Sequence, residues 1–135
     1  MANLLIVDDT VETCTMLQRL FARCGHESTV LYGGEAVLPA LRQAPYDLVL
    51  LDVMMPRVDG FEVLRAIRAD ADQRVAHTSV AMYSAIGDPA QMERGIACGA
   101  NEWIVKGTPF TLLRQRLERF LAPPDGTTEG DGSCI

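Results

Sequence analysis

The chain has 135 residues and a formal net charge of -6. This length fits one domain with a substantial hydrophobic core, and the acidic balance argues against direct nucleic-acid binding, which needs a basic patch. No apolar run approaches the roughly 20 residues of a membrane span, and the N-terminus lacks the basic flank and cleavage site of a signal peptide. We therefore expect a cytoplasmic protein that binds neither nucleic acid nor membrane.

Five short apolar runs alternate with amphipathic stretches, as in repeated βα units. The predicted strands are Asn3 to Val7, Ser28 to Leu31, Leu48 to Leu51, Ser79 to Tyr83 and Glu102 to Val105. The first, third and fourth runs are almost entirely apolar, which is typical of strands covered by helices on both faces. The alternation predicts an α/β fold of the flavodoxin-like, doubly wound (βα)5 type, with five parallel strands in the order 2-1-3-4-5.

Five helices are predicted between and after these strands. They cover Thr10 to Cys24, begin near Gly34 and near Gly60, cover Pro89 to Cys98, and begin at Pro109. Gly25 fits the end of the first helix, and Thr108 is the predicted N-cap of the last. Asp59, in an Asp-Gly pair, is predicted to cap the third helix.

After Leu121 the sequence changes to APPDGTTEGDGSCI, which is rich in proline, glycine and acids and has little to bury. We predict a folded domain over residues 1–121 and a disordered acidic tail over residues 122–135. The four cysteines show no Cys-x-x-Cys spacing, so neither a zinc site nor a thioredoxin-type redox pair is indicated.

Polar residues gather where the predicted strands end. Asp8 and Asp9 follow the first strand, Asp52 the third, Ser84 the fourth and Lys106 the fifth. In a doubly wound sheet, ligands bind beyond the carboxyl ends of the strands, near the switch point between strands 1 and 3. Neighbouring strands are only about 4.8 Å apart. We therefore expect the acids to converge on one ion.

The chemistry of this cluster points to phosphoryl transfer. Two carboxylates 4 Å apart repel each other by roughly 4 kcal/mol at an effective dielectric constant of about 20, so the site needs positive charge. Oxygen ligands suit a hard cation, and Mg²⁺ binds through one or two carboxylates together with water and phosphate oxygens. With Lys106 as a further cation, Asp52 is placed to act as the nucleophile.

With these residues in place, the chain resembles the receiver domain of two-component response regulators from about Asn3 to Leu121. The resemblance rests on the acid pair in LLIVDD, on DVMMPRVDG around Asp52, on MYSA and on the lysine in NEWIVK. It implies that Asp52 accepts a phosphoryl group from a histidine kinase or phosphotransfer protein. Asp8, Asp9, Asp52 and the backbone carbonyl of Met54 would hold the Mg²⁺ ion.

The resemblance also implies roles for three further residues. Lys106 would pair with the phosphoryl oxygens, Ser84 would move to hydrogen-bond them, and Trp103 would be the aromatic switch. The family usually has Lys-Pro, often with a cis bond, where this chain has Lys106 and Gly107. Because a cis Lys-Gly bond costs about 2.5 to 4 kcal/mol, a trans loop or a strained one is expected.

The resulting hypothesis is a single-domain response regulator that catalyses only its own phosphoryl uptake and hydrolysis. Phosphorylation would change the face formed by the fourth predicted helix, the fifth strand and the last helix, and a downstream protein or a second copy in a homodimer would read it. Arg114, Arg116 and Arg119 on the last helix are expected to form a solvated face, with contact to an acidic surface of a partner as the alternative.

Two other classes of function are compatible with the predicted fold but have different requirements at the site. A phosphorylation-independent interaction module is the alternative, but such a module should have lost one of the acids or the lysine. A flavin-binding protein would need a phosphate-binding loop after the first strand, where Asp8 and Asp9 stand. A phosphatase with an aspartyl nucleophile would need an acid at the position of Met54.

Overall fold

A computed structural model describes residues 2–85 and 87–121 of the chain. In chain order the elements are β1 (Asn3–Val7), α1 (Val11–Arg23), β2 (Glu27–Leu31), a 3-10 turn (Gly34–Ala36), α2 (Val37–Gln43), β3 (Leu48–Asp52), α3 (Gly60–Arg68), α4 (Gln73–Ala76), β4 (Val80–Ser84), α5 (Pro89–Ala97), β5 (Glu102–Val105) and α6 (Phe110–Leu121). The predicted acidic tail, residues 122–135, lies outside the described residues.

The five strands form one parallel sheet in the order β2-β1-β3-β4-β5, which confirms the predicted topology. At the carboxyl end of the sheet, Val7 is in register with Leu51, and Ser84 with Val105. Because all five strands run the same way, the residues that end or follow β1, β3, β4 and β5 share one edge. That edge carries the polar residues selected from the sequence.

Alternate residues of the strands enter two separate hydrophobic cores. On one face of β1, Leu4 and Ile6 pack with α1 and α6, and on the other face Leu5 and Val7 pack with α2 and α3. All five residues of β3 are buried, as expected for a central strand covered on both sides. This two-sided burial explains why the strands read as continuous apolar runs rather than as alternating ones.

The structure differs from the predicted elements in two ways that matter below. Asp52 and Ser84 are the last residues of β3 and β4 rather than the first residues after them. A short helix, α4, was not predicted, so the fourth and fifth predicted helices are α5 and α6. Helix α4 spans a single turn after Asp72, whose side chain accepts a hydrogen bond from the Arg74 backbone N–H. One turn is too short to show a helical period in a sequence.

Candidate functional site

Three carboxylates meet at the carboxyl edge of the sheet. Asp8 follows β1 and is 1 % exposed, Asp52 ends β3 and is 3 % exposed, and Asp9 is exposed to solvent. One oxygen from each of the three side chains lies within 4.8 Å of the others. The structure thus brings together the three acids that the sequence placed on neighbouring strand ends.

Lys106 contacts two of these carboxylates. Its Nζ lies 2.8 Å from Asp8 Oδ2 and 3.5 Å from Asp52 Oδ1. Its backbone N–H donates to the Ser84 carbonyl at 2.7 Å, which fixes the start of the side chain. The buried Asp8 Oδ2 has no hydrogen bond of acceptable geometry among the described residues, so the ion pair with Lys106 is what compensates it.

Backbone amides orient the two buried carboxylates. Asp8 Oδ1 accepts a hydrogen bond from the Thr10 N–H at 2.9 Å, and Asp52 Oδ1 accepts one from the Met54 N–H at 3.4 Å. The Met54 residue itself is 63 % exposed. The two buried carboxylates are thus held in place by main-chain groups.

The protonation equilibria reflect burial and mutual repulsion. Burial, followed by the negative charge of Asp8, raises the pKa of Asp52 to about 6, although Lys106 lowers it. Burial alone would lower the pKa of Lys106, but its contact with Asp8 and the negative charge of Asp52 raise it overall. Burial raises the pKa of the Cys14 thiol to about 11, so this neighbour stays a neutral thiol that donates to the Asp8 carbonyl.

The residues present fit a hard divalent cation. Three carboxylates and one ammonium carry a formal charge of -2, which one divalent ion would cancel. All the side-chain ligands are oxygens, the set that Mg²⁺ prefers. The buried Asp8 Oδ2, which lacks a well-formed hydrogen bond, is a further acceptor for such an ion.

Gly60 shapes the loop around Asp52, a role that the sequence reasoning did not assign. Its N–H donates to the Val53 carbonyl at 2.8 Å, and a Cβ at this position would lie 2.3 Å from the Asp52 carbonyl oxygen. Asp59, directly before Gly60, caps α3 as predicted. Its side chain and that of Glu62, two residues after Gly60, form a reciprocal capping box. The Asp-Gly pair in DVMMPRVDG was the available signal.

The two predicted switch residues are both buried, one on β4 and the other on β5. Ser84 is fully buried at the end of β4. Trp103 is 2 % exposed on β5, and its ring lies 6.0 Å from that of Phe61, on the face of the sheet covered by α3 and α5. Trp103 is therefore packed inward against α3, and its ring also lies beside Gly95 of α5, the helix whose surface the hypothesis assigns to signalling.

Gly95 on α5 leaves the space that the Trp103 ring occupies. A Cβ at Gly95 would lie 2.7 Å from both Cε3 and Cζ3 of the indole. We expect Gly95→Ala to displace Trp103, to change its fluorescence spectrum, and to lower the free energy of unfolding by about 1 kcal/mol, since overpacking outweighs the better helix propensity of alanine. Glu93→Ala, at an exposed position of the same helix, should leave the spectrum unchanged. An unaltered spectrum in Gly95→Ala would contradict this packing.

Arg116 and Arg119 on α6 are exposed to solvent, as predicted, and they also hydrogen-bond to the chain around β5. Arg116 donates to the Trp103 carbonyl at 2.9 Å and to Glu102 Oε1 at 2.8 Å, and Arg119 donates to the Asn101 carbonyl at 3.1 Å. Because β5 is an edge strand, its outward carbonyls have no neighbouring strand and need other donors. The arginines supply them.

The loop after Lys106 is a trans loop. No cis peptide bond occurs among the described residues, and Gly107 has a φ of 100°. The backbone then turns through Thr108, whose Oγ1 donates to the Val105 carbonyl at 2.7 Å. A positive φ of this size favours glycine, which accounts for the residue that follows the lysine.

Comparison with known proteins agrees with this geometry. Residues 4–118 match the model of the response regulator receiver domain. The chain belongs to this family. Among solved structures, the receiver domain is similar to the chemotaxis response regulator CheY4 of Vibrio cholerae, with a TM-score of 0.82 and 30% sequence identity over 90% of this chain and 99% of that one. It is also similar to TrrA of Thermotoga maritima, solved in complex with Mg²⁺-BeF. The TM-score is 0.77 and the sequence identity 27%, over 90% of this chain and 100% of that one.

Curated relatives are longer proteins. The receiver domain is 33% identical to the transcriptional regulatory protein AfsQ1 of Streptomyces coelicolor, over 90% of this chain and 52% of that protein. It is 31% identical to the probable transcriptional regulator ycf27 of Cyanophora paradoxa, over 98% of this chain and 55% of that protein. The chain thus spans about half the length of these two relatives. Among the helices that the structure describes, none has the length and apolar character of a membrane span.

Proposed function

We propose that this receiver domain is a phosphorylation-operated signalling switch. It takes a phosphoryl group on Asp52 from a histidine kinase or phosphotransfer protein and passes its state to a downstream protein. The observation that carries the proposal is the Lys106 ammonium held 2.8 Å from Asp8 and 3.5 Å from Asp52, with Asp9 completing the acid cluster. Such an arrangement of one cation and several acids fits a site that must accept a dianionic group.

In this proposal Asp8, Asp9, Asp52 and the Met54 carbonyl hold Mg²⁺. When bound, the ion neutralises charge on the phosphoryl oxygens. The Mg²⁺-BeF complex of TrrA supports the assignment, because that protein shares the fold over nearly the whole domain. The raised pKa of Asp52 is consistent with a carboxylate that needs a nearby cation to stay ionised.

The reaction at Asp52 is the transfer of one phosphoryl group. An ionised Asp52 oxygen forms a bond to phosphorus while the bond from phosphorus to the donor's imidazole nitrogen breaks, and the imidazole then takes a proton from solvent. The product is more negative than the carboxylate by about one charge, since a phosphate carries about -2. Lys106 turns from Asp8 and Asp52 toward the new oxygens, so its ion pair is exchanged rather than lost.

The output of the switch depends on Ser84 and Trp103. Ser84 is fully buried at the end of β4, and in this proposal its hydroxyl moves to hydrogen-bond a phosphoryl oxygen. We propose that Trp103 responds by repacking against α5, which alters the surface of α5, β5 and α6. A partner or a second copy of the chain that binds the altered surface shifts the equilibrium further.

Beryllofluoride, a phosphoryl mimic, tests the proposal. Adding Mg²⁺ and beryllofluoride should change the fluorescence of Trp103, the one tryptophan in the chain, and the Asp52→Asn variant should not respond. Phosphotransfer from histidine kinases should follow the same dependence on Asp52 and Mg²⁺. If the native chain gives no response, or if the variant responds equally, the domain is not a switch operated through Asp52.

A further inference from the structure

Tyr83 lies beside the proposed site and has no part in the function proposed above. It precedes Ser84 in β4 and is in register with Asp52 on β3 and with Ile104 on β5. Residues in register on neighbouring strands point to the same face of a sheet, so Tyr83 shares the face of Asp52. Its side chain is 6 % exposed and belongs to the core beneath α1 and α6.

The ring of Tyr83 faces the ammonium group of Lys106. Nζ lies 5.7 Å from the ring centroid, within the distance of about 6 Å at which an aromatic face attracts a cation. The same Nζ contacts Asp8 and Asp52. The ammonium is therefore placed by two carboxylates and by one aromatic ring.

The main chain fixes the start of the Lys106 side chain but not the position of its ammonium group. The Lys106 N–H donates to the Ser84 carbonyl at 2.7 Å, whereas a Cβ added to the next residue, Gly107, would meet nothing within 4 Å. A cavity of about 230 Å³ at this turn is lined by Gly107, Thr108, Phe110 and Tyr83, among other residues. The ammonium, at the end of a long side chain, is therefore positioned by the groups that it contacts.

We propose that Tyr83 is a positioning residue for Lys106, whose ring keeps the ammonium directed at Asp52. Its effect on phosphoryl uptake rests on the proposed function, but the contact itself can be measured in the resting protein. The hydroxyl is not required for this role, since the attraction comes from the ring face. Tyr83→Phe should therefore retain the effect, and Tyr83→Leu, which also fills core space, should lose it.

The contact is tested by nuclear magnetic resonance with lysine labelled at Cε and Nζ. Lys106 is the only lysine of the chain, so the label gives one side-chain signal. In the native protein and in Tyr83→Phe, the ring current should shift the ε-proton signal upfield of free lysine. In Tyr83→Leu the signal should move toward the free value. An identical signal in all three proteins would overturn the proposal.

The consequence for phosphoryl transfer is tested by a double-mutant cycle with a small-molecule phosphoryl donor and Mg²⁺. Tyr83→Leu should slow uptake at Asp52 by about two- to fivefold, as expected for the loss of one cation–π contact. In a Lys106→Met background the same change should have no further effect, because Tyr83 acts through the lysine. An equal loss in both backgrounds would assign Tyr83 a purely structural role. If the native protein takes up no phosphoryl group, the proposed function fails, while the lysine signal still decides the contact.

Discussion

Replacing Asp52 by asparagine is expected to abolish phosphoryl uptake and, in the absence of metal, to make the protein more stable. The Asp52 carboxylate is 3 % exposed and shares its cleft with Asp8. Burial and this second negative charge raise its pKa to about 6, from about 3.9 for a free aspartate. Asparagine has nearly the same shape, carries no charge, and leaves Lys106 paired with Asp8 at 2.8 Å.

The sign and size of the effect follow from proton linkage. A raised pKa means that the folded protein binds the Asp52 proton more tightly than the unfolded chain, so stability falls as pH rises from about 4 to about 6. Above pH 6 the ionised carboxylate costs about 3 kcal/mol in the metal-free protein. Asp52→Asn should recover this amount at pH 8 and much less at pH 4.

Denaturant unfolding in the presence of a chelator measures this difference, and addition of Mg²⁺ supplies a second comparison. The metal should stabilise the native protein more than the variant, because it neutralises the charge that the variant lacks. Asp88→Asn, at an exposed helix cap outside the acid cluster, is a control that should respond to Mg²⁺ as the native protein does. A variant less stable than the native protein at pH 8 without metal would show that Asp52 is not under electrostatic strain.

Gly60→Ala is expected to destabilise the protein by about 3 kcal/mol and to impair phosphoryl uptake as well. Alanine is the better helix former by about 1 kcal/mol, so helix propensity alone predicts the opposite result. The added Cβ, however, would lie 2.3 Å from the Asp52 carbonyl oxygen and 2.8 Å from Val53 Cα. Both atoms belong to main chain that is buried beside the cluster, so relief of the clash must displace Asp52.

Two measurements separate the structural and the functional effects of this substitution. Denaturant unfolding gives the loss of stability, and phosphorylation under conditions in which the variant is folded gives the displacement of Asp52. Gly33→Ala is the matched control, because its Cβ would meet only the flexible end of the Glu35 side chain at 3.0 Å. Equal stability of Gly60→Ala and the native protein would mean that the loop between β3 and α3 relaxes freely around the new methyl group.

The fold was predictable because its determinants are local and repeated. Strands buried on both faces give apolar runs, amphipathic helices separate them, and parallel strands joined by helices have few allowed arrangements. The one helix that the sequence did not predict, α4, is a single turn long. The predicted third and fourth strands end one residue before β3 and β4, because the polar Asp52 and Ser84 interrupt the apolar runs although both still pair within the sheet.

The sequence could predict which edge of the sheet carries the candidate site, but it could not predict the contacts between the side chains there. Residues that end parallel strands meet at one edge whatever the details of packing, so the acids and Lys106 could be placed together. That Lys106 lies closer to Asp8 than to Asp52 depends on side-chain conformations. That Tyr83 shares the face of Asp52 depends on strand register, and the roles of Arg116 and Arg119 depend on how α6 crosses β5.

The hydrogen bonds along the outer edge of β5 determine how other chains can bind to that side of the sheet. The Trp103 N–H donates to Glu102, and the Trp103 and Asn101 carbonyls accept from Arg116 and Arg119. The hydrogen-bonding groups that an incoming strand would need there are thus already in use. The β5 edge is consequently protected against edge-to-edge pairing with another chain, which is a route to fibrous aggregates. A protein that binds this edge must recognise its side chains rather than add a strand to the sheet.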